Sequence, residues 1–204
     1  MYSSRMFRFV RLIGLTGATS PVRLGSVRLL SINSTTAYDE VMKVLRSDLK
    51  QSIRMKADPL EKNVIRSILT EVKNMEIATR GELHDEFQLA DLLDKMIKER
   101  NASAAEYMKE GSPDRFQQVG LNELREADFL TSYLKRLPVA SDKEVDEHVT
   151  KLAETLKSEG ELNSKEDLFK KIPWKTVKGQ WHASRSSISK SVERVFKEVS
   201  DVEA

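Results

Sequence analysis

Asp58-Pro59-Leu60-Glu61-Lys62-Asn63-Val64-Ile65-Arg66-Ser67-Ile68-Leu69-Thr70-Glu71-Val72-Lys73-Asn74-Met75 is the stretch on which the fold turns. Asp58 can cap a helix. Pro59 fits the first helical position, where its missing N–H costs nothing, and Glu61 lies near the positive end of the dipole. Leu60, Val64, Ile65, Ile68, Leu69, Val72 and Met75 then recur every three or four residues. That spacing predicts an amphipathic helix with one buried face, which Gly81 is expected to stop.

The same grammar extends in both directions. Upstream, Thr36 and Asp39 have capping-box spacing, and Tyr38, Val41, Met42, Leu45, Leu49 and Ile53 follow at helical intervals. Downstream, a third helix is predicted from about Asp85 to Glu110, with Leu89, Leu92, Leu93, Met96, Ile97, Tyr107 and Met108 inward and Gly111 as its C-cap. Ser112-Pro113 opens a fourth, ending near Leu137-Pro138, in which Gly120 reads as an interior weak point of about 1 kcal/mol. Beyond Pro138, Ser141 with Glu144 opens a helix through Val145, Val149, Leu152 and Leu156 to Gly160. Ser164 with Asp167 opens a short one stopped by Pro173, Trp174 to Ser187 is turn-rich, and a last helix carries Ile188, Val192, Val195 and Phe196. Nothing alternates with period two. The expected fold is all-α: a four-helix N-terminal unit over 36–138, then a smaller three-helix unit over 139–200.

The chain has 204 residues, 34 Lys+Arg against 32 Asp+Glu, three histidines and no cysteine. Absent cysteine excludes a disulfide scaffold, a thiolate metal site and a cysteine nucleophile. No apolar run reaches the roughly 18 residues of a membrane span, so integral insertion is not expected. The first acid is Asp39; before it lie Arg5, Arg8, Arg11, Arg23 and Arg28 among Ser and Thr. This composition predicts a mitochondrial presequence over 1–30, with Met6, Phe7, Phe9, Val10 and Ile13 forming the apolar side of a cationic helix. Arg28-Leu29-Leu30-Ser31 predicts cleavage near Leu30/Ser31 and a matrix location. Removing those five arginines takes the net charge from +2 to −3, so any basic site in the mature chain must be local. The alternative for this segment is a basic tail that binds nucleic acid.

Three stretches carry a family resemblance. They are Val64-Ile65-Arg66-Ser67-Ile68-Leu69 leading into Lys73-Asn74-Met75-Glu76-Ile77; Lys98-Glu99-Arg100-Asn101-Ala102-Ser103 leading into Glu106-Tyr107-Met108-Lys109-Glu110-Gly111 and Asp114; and Leu130-Thr131-Ser132-Tyr133-Leu134. In order and spacing they resemble the YqeY family, small helical proteins whose C-terminal part is similar to the tail domain of GatB. With the N-terminal segment in front, the whole is similar to the fungal mitochondrial members. GatB is a subunit of the glutamine-dependent aminoacyl-tRNA amidotransferase. The resemblance therefore implies an association with carbon–nitrogen ligase chemistry that uses glutamine as amido donor, and with tRNA. Two positions depart from the family pattern: Lys135 stands where Tyr-Leu-Pro is common, and Ser112 follows the Gly111 turn in place of an arginine.

No catalytic constellation is legible. Such a ligase needs a nucleophile and a phosphate site, and the chain has no Gly-rich phosphate loop and no G-x-S-x-G elbow. Ser186-Ser187 reads as helix capping. Glu144 and His148, four apart, read as a surface contact, and Asp85 beside His84 as a dipole-stabilised helix start. Glu86, Asp91 and Asp94 read as a solvated face. No metal and no cofactor are expected.

One local feature stands out: from Ser164 to Lys197 nine bases meet three acids, net +6, while Val139 to Asn163 is −4. Within it Lys170, Lys171, Lys175, Lys178, Trp181, His182, Arg185 and Lys190 form a candidate RNA contact, with Trp174 interleaved. Cations neutralise phosphates, and aromatic or guanidinium planes stack on bases. The alternative is a solvated basic face with both tryptophans in a small core. A second candidate surface is Arg66, Lys73, Asn74, Lys98 and Arg100, for which interhelical ion pairing is the competing reading. Two functions follow. One is an accessory module that docks tRNA, beside a mitochondrial amidotransferase complex. The other is a protein-interaction or structural module in the matrix with no nucleic-acid role.

Overall fold

The computed structural model describes residues 33–80, 82–162 and 164–201, with side chains to Glu198. The described residues form eight helices and no strand: α1 Thr36–Arg54, α2 Pro59–Ala78, α3 Glu86–Tyr107, α4 Asp114–Leu134, α5 Asp142–Ser158, α6 Lys165–Lys171, α7 Val177–Gln180 and α8 Arg185–Asp201. The all-α expectation therefore holds. The predicted presequence over 1–30, the cleavage point at Leu30/Ser31 and the Gly81 stop lie outside the described residues.

Local capping chemistry sets most helix starts. Asp58 Oδ1 accepts from the Leu60 N–H at 3.0 Å with Pro59 in the first turn. Ser141 and Glu144 close a full capping box, and Ser164 accepts from the Asp167 N–H. The first helix starts one residue earlier than its spacing suggests. Thr35, not Thr36, caps it: its Oγ1 accepts from the Tyr38 N–H at 3.3 Å and donates to Glu86 at 2.7 Å. That second bond ties α1 to the first turn of α3. Beside it the Thr35 N–H donates to the His84 carbonyl and the His84 N–H to the Asn33 carbonyl, at 3.0 and 2.8 Å. The stretch read as turns between Trp174 and Ser187 contains the one-turn helix α7.

Two apolar clusters form. The first gathers Tyr38, Met42 and Leu45 of α1, Val64, Ile65, Ile68 and Val72 of α2, Leu89, Leu93 and Met96 of α3, and Leu130 and Tyr133 of α4. Complete burial of a leucine or isoleucine contributes about 1.5–3 kcal/mol relative to exposure, so these residues dominate cohesion. Both tyrosines keep a polar partner: Tyr38 Oη donates to Glu76 at 3.1 Å and Tyr133 Oη to Asp48 at 3.0 Å. Burial, reinforced by those carboxylates, pushes both phenols well above their ordinary range. The second cluster is smaller in side-chain volume: Val145, Val149, Ala153, Leu156, Leu168, Ile172, Val177, Ala183, Ile188, Val192 and Val195.

The α3–α4 pair departs from expectation at its far end. Between Asn101 and Leu121 only Ala104 and Gly120 are buried. Tyr107 and Met108, placed inward by periodicity, are 38% and 41% exposed, and Ile53 of α1 is 53% exposed. Gly111, expected to cap α3, instead turns the chain three residues past the Met108 cap, at φ +83°. Gly120 has a packing reason. A Cβ there would lie 2.4 Å from Met108 Cγ and 3.2 Å from the Ala104 carbonyl oxygen, so a larger residue would force the Met108 side chain aside at this helix approach.

Candidate functional site

The candidate RNA residues divide into two groups. The first is an exposed cationic and aromatic face. Phe169 at the end of α6 and Trp174 beyond Pro173 sit 4.6 Å apart between ring centroids, inclined by 54°. Both are partly buried against the second cluster, and Trp174 Nε1 donates to the Phe169 carbonyl at 3.2 Å. The Arg185 guanidinium, at the first residue of α8, lies 5.1 Å from the Trp174 centroid and 5.7 Å from that of Phe169. A weakly hydrated guanidinium over an aromatic face gains about 0.5–1 kcal/mol at an exposed site. Lys170 and Lys175 are exposed. Among the described residues Lys175 and Arg185 have no carboxylate partner, and Lys170 reaches Asp167 at 3.4 Å.

The second group is already paired. Lys171 bonds Glu161, and Lys178 bonds Asp85 with its ammonium 5.4 Å from the Phe87 ring. Lys190 bonds Asp94 at 2.6 Å, and Arg194 bonds Asp146 at 2.8 Å. The hydrogen bond to Asp146 raises the Arg194 pKa further. Burial would raise Asp94, but the hydrogen bonds from Lys190 and Lys98 outweigh it and hold its carboxyl below the usual range. Trp181 stacks on His148 at 5.1 Å and 5°, packed against the second cluster. His182 is exposed at φ +46°, a costly region for a residue with a Cβ, and its carbonyl accepts from the Ala140 N–H at 2.7 Å. The +6 charge is thus divided between an open face and internal ion pairs.

Of these paired groups, Lys190, Asp94 and Arg194 line a cleft of about 560 Å³, together with Phe87, Ala90 and Asp91 of α3, the 134–144 connection and the start of α8. Glu86, Asp91 and Asp94, expected on a solvated face, are not there. Glu86 accepts from Thr35, Asp94 from two lysines, and Asp91 is half-buried with Ser184 Oγ donating to it at 2.8 Å. Burial raises the Asp91 carboxyl above its ordinary range. Ser184 also accepts from the Ser187 N–H at 2.9 Å, so it caps α8 and its hydroxyl is committed to structure. The cap read at Ser186-Ser187 belongs to Ser184. Sequence reasoning missed Asp85, Asp91, Asp94 and Ser184 because their partners are 93 to 96 residues away.

The second candidate surface does not come together as one groove. Lys98 and Arg100 are two apart on α3 and face different ways. Lys98 bonds Asp94, while Arg100 reaches across to Glu123 and Glu126 of α4 at 3.1 Å each. Lys73 pairs with Glu76 at 3.1 Å, and Arg66 and Asn74 are exposed on α2. Among the described residues no three His, Asp or Glu side chains are grouped to hold a metal, and no helix is long and apolar enough to cross a membrane. Glu144 is spent in its capping box and His148 on Trp181.

Residues 42–196 match a family profile described as Yqey-like protein. The chain belongs to the YqeY family. Curated YqeY-family relatives bear the name "Altered inheritance of mitochondria protein 41, mitochondrial". That of Komagataella phaffii is 52% identical over 176 residues, spanning 86% of this chain and 91% of the relative. Those of Lachancea thermotolerans and Saccharomyces cerevisiae are 37% and 32% identical, spanning 80% and 88% of this chain and 85% and 95% of theirs. No solved structure gives a significant match.

Proposed function

We propose that this YqeY-family chain works in mitochondria as an accessory module that docks tRNA beside glutamine-dependent amidotransferase chemistry, without a reaction of its own. The observation that carries the reading is the Arg185–Trp174–Phe169 face with Lys170 and Lys175 at its edge. An aromatic and guanidinium platform stacks an unpaired base whatever its identity, and flanking lysines neutralise the adjoining phosphates. The GatB-tail resemblance supports tRNA as the nucleic acid and a carbon–nitrogen ligase as the neighbour. The mitochondrial names of the relatives and the acid-free, arginine-rich first 37 residues support the location.

The test is binding of Ser31–Ala204 to total mitochondrial tRNA between about 50 and 200 mM salt. This form retains every residue of both apolar clusters. Affinity should fall steeply with salt, and K170E/K175E/R185E should weaken it at least about tenfold while the melting temperature holds, as loss of several phosphate contacts requires. Absence of binding at the lowest salt, or unchanged affinity in the triple variant, would overturn the proposal.

A second reading, a protein-interaction module, is favoured by the apolar side chains left open at the α3–α4 tip. Tyr107, Met108, Phe116, Val119 and Leu121 are each 38–49% exposed. It predicts a partner retained through nuclease treatment and lost in F116S/L121S.

A further inference from the structure

Three contacts join α3 to the segment running through α7 into α8. Asp85 takes the Lys178 ammonium, Asp91 the Ser184 hydroxyl and Asp94 the Lys190 ammonium, in the same order along both partners. Resting on the RNA-docking reading, we propose that Lys178 and Lys190 form a phosphate-binding row continuous with the Arg185 face, which α3 keeps shut by presenting Asp85 and Asp94 in place of RNA phosphates.

Three observations lead there. The row adjoins the open face along the chain: Lys178 follows Lys175 by three residues, and Lys190 follows Arg185 by five on α8. The groups α3 presents are carboxylates, the side chains closest to a phosphate in charge and in accepting hydrogen bonds. The closing contacts are also weak enough to exchange. The Lys190–Asp94 pair is open to water on both sides, at 37% and 33% exposure, and such pairs are worth about 0–1 kcal/mol. Lys178 is 61% exposed against a buried Asp85, which on its release keeps the Gln88 N–H and the positive end of the α3 dipole. A phosphate contact that releases counterions competes on equal terms. RNA docking would then continue from the Trp174 platform along α8, displacing α3 carboxylates as it goes.

The experiment neutralises the shutter while keeping the α3 cap. D85N keeps an asparagine at the α3 cap, where it serves as well as aspartate, and D94N keeps a polar side chain. Full-length wild type, D85N/D94N, D94N alone and the charge-matched E106Q/E110Q from the hairpin tip are compared for total tRNA binding. The N-terminal arginines contribute equally to all four. D85N/D94N should bind about five- to tenfold tighter, with a salt slope steeper by about 1.5, as two added phosphate contacts imply. K178E/K190E on that background should erase the gain. Wild-type binding with no gain in D85N/D94N overturns the shutter and leaves the docking proposal standing. An equal gain in E106Q/E110Q, or a gain that survives K178E/K190E, overturns it as well. If no form binds tRNA, both proposals fail together. Should the double variant melt early, D94N alone must give a gain of at least about twofold, and its absence counts against the row.

Discussion

At its base α3 buries Leu89, Leu93 and Met96 among four helices, while at its tip it touches little besides α4, through Ala104 and Gly120. The same continuous pair of helices is thus a piece of core at one end and an open hairpin at the other. At the base, long side chains interlock; at the tip, the helices approach because a side chain is missing. Arg100 marks the transition, reaching to Glu123 and Glu126 where the surrounding helices give out. Cohesion and openness are separated along one element, so they can be perturbed one at a time.

The largest perturbation should come from the base. L93A leaves a cavity at a site with 0% exposure and should cost about 2–5 kcal/mol in urea unfolding. A loss under about 1 kcal/mol would mean that the base is as loosely held as the tip. Next is the hinge between the two regimes. By helix propensity alone G120A should stabilise by about 1 kcal/mol. The Met108 and Ala104 contacts instead predict a net loss of about 1 kcal/mol, as overpacking does, and M108A should relieve it in a double-mutant cycle. Additive behaviour would place the strain elsewhere.

A smaller effect, on the outer flank of the base, depends on pH. Asp94 is held below its ordinary 3.8, so its contribution is complete above that value and is lost as pH falls through the lower folded one. The melting temperatures of wild type and D94N should therefore differ at neutral pH and converge below about pH 3.8. A constant gap would deny Asp94 its ionised role in the seam. Least affected should be F116S at the tip, within about 0.5 kcal/mol of wild type. A larger loss would show that the tip is a packed part of the fold.

How far the sequence is legible follows the same division between near and far. The caps at Asp58, Ser141 and Ser164 and the buried face of α2 were readable because they depend on neighbours within a turn or two. Thr35 displaced Thr36 because two adjacent threonines carry the same local signal, and Glu86, 51 residues on, chose between them. Tyr107 and Met108 have the right period, but periodicity cannot reveal where neighbouring helices end. In the candidate site, the charge count found the basic segment but not its division. Nothing local distinguishes Lys175, which faces solvent, from Lys178, which meets Asp85. Asp91 and Asp94 looked solvated for the same reason, since Ser184 and Lys190 reach them only after the chain has folded back.

The short pairing between Asn33–Thr35 and His84 sets a limit on trimming. A protease that cut between Leu30 and Ser31 would leave only Ser31 and Ile32 ahead of the first anchored residue. A cut beyond Thr35 would remove the α1 cap, the bond to Glu86 and the covering over the start of α3 in one step. Any trimming of the N-terminus would therefore be tolerated by the fold ahead of Asn33 and destabilising beyond Thr35.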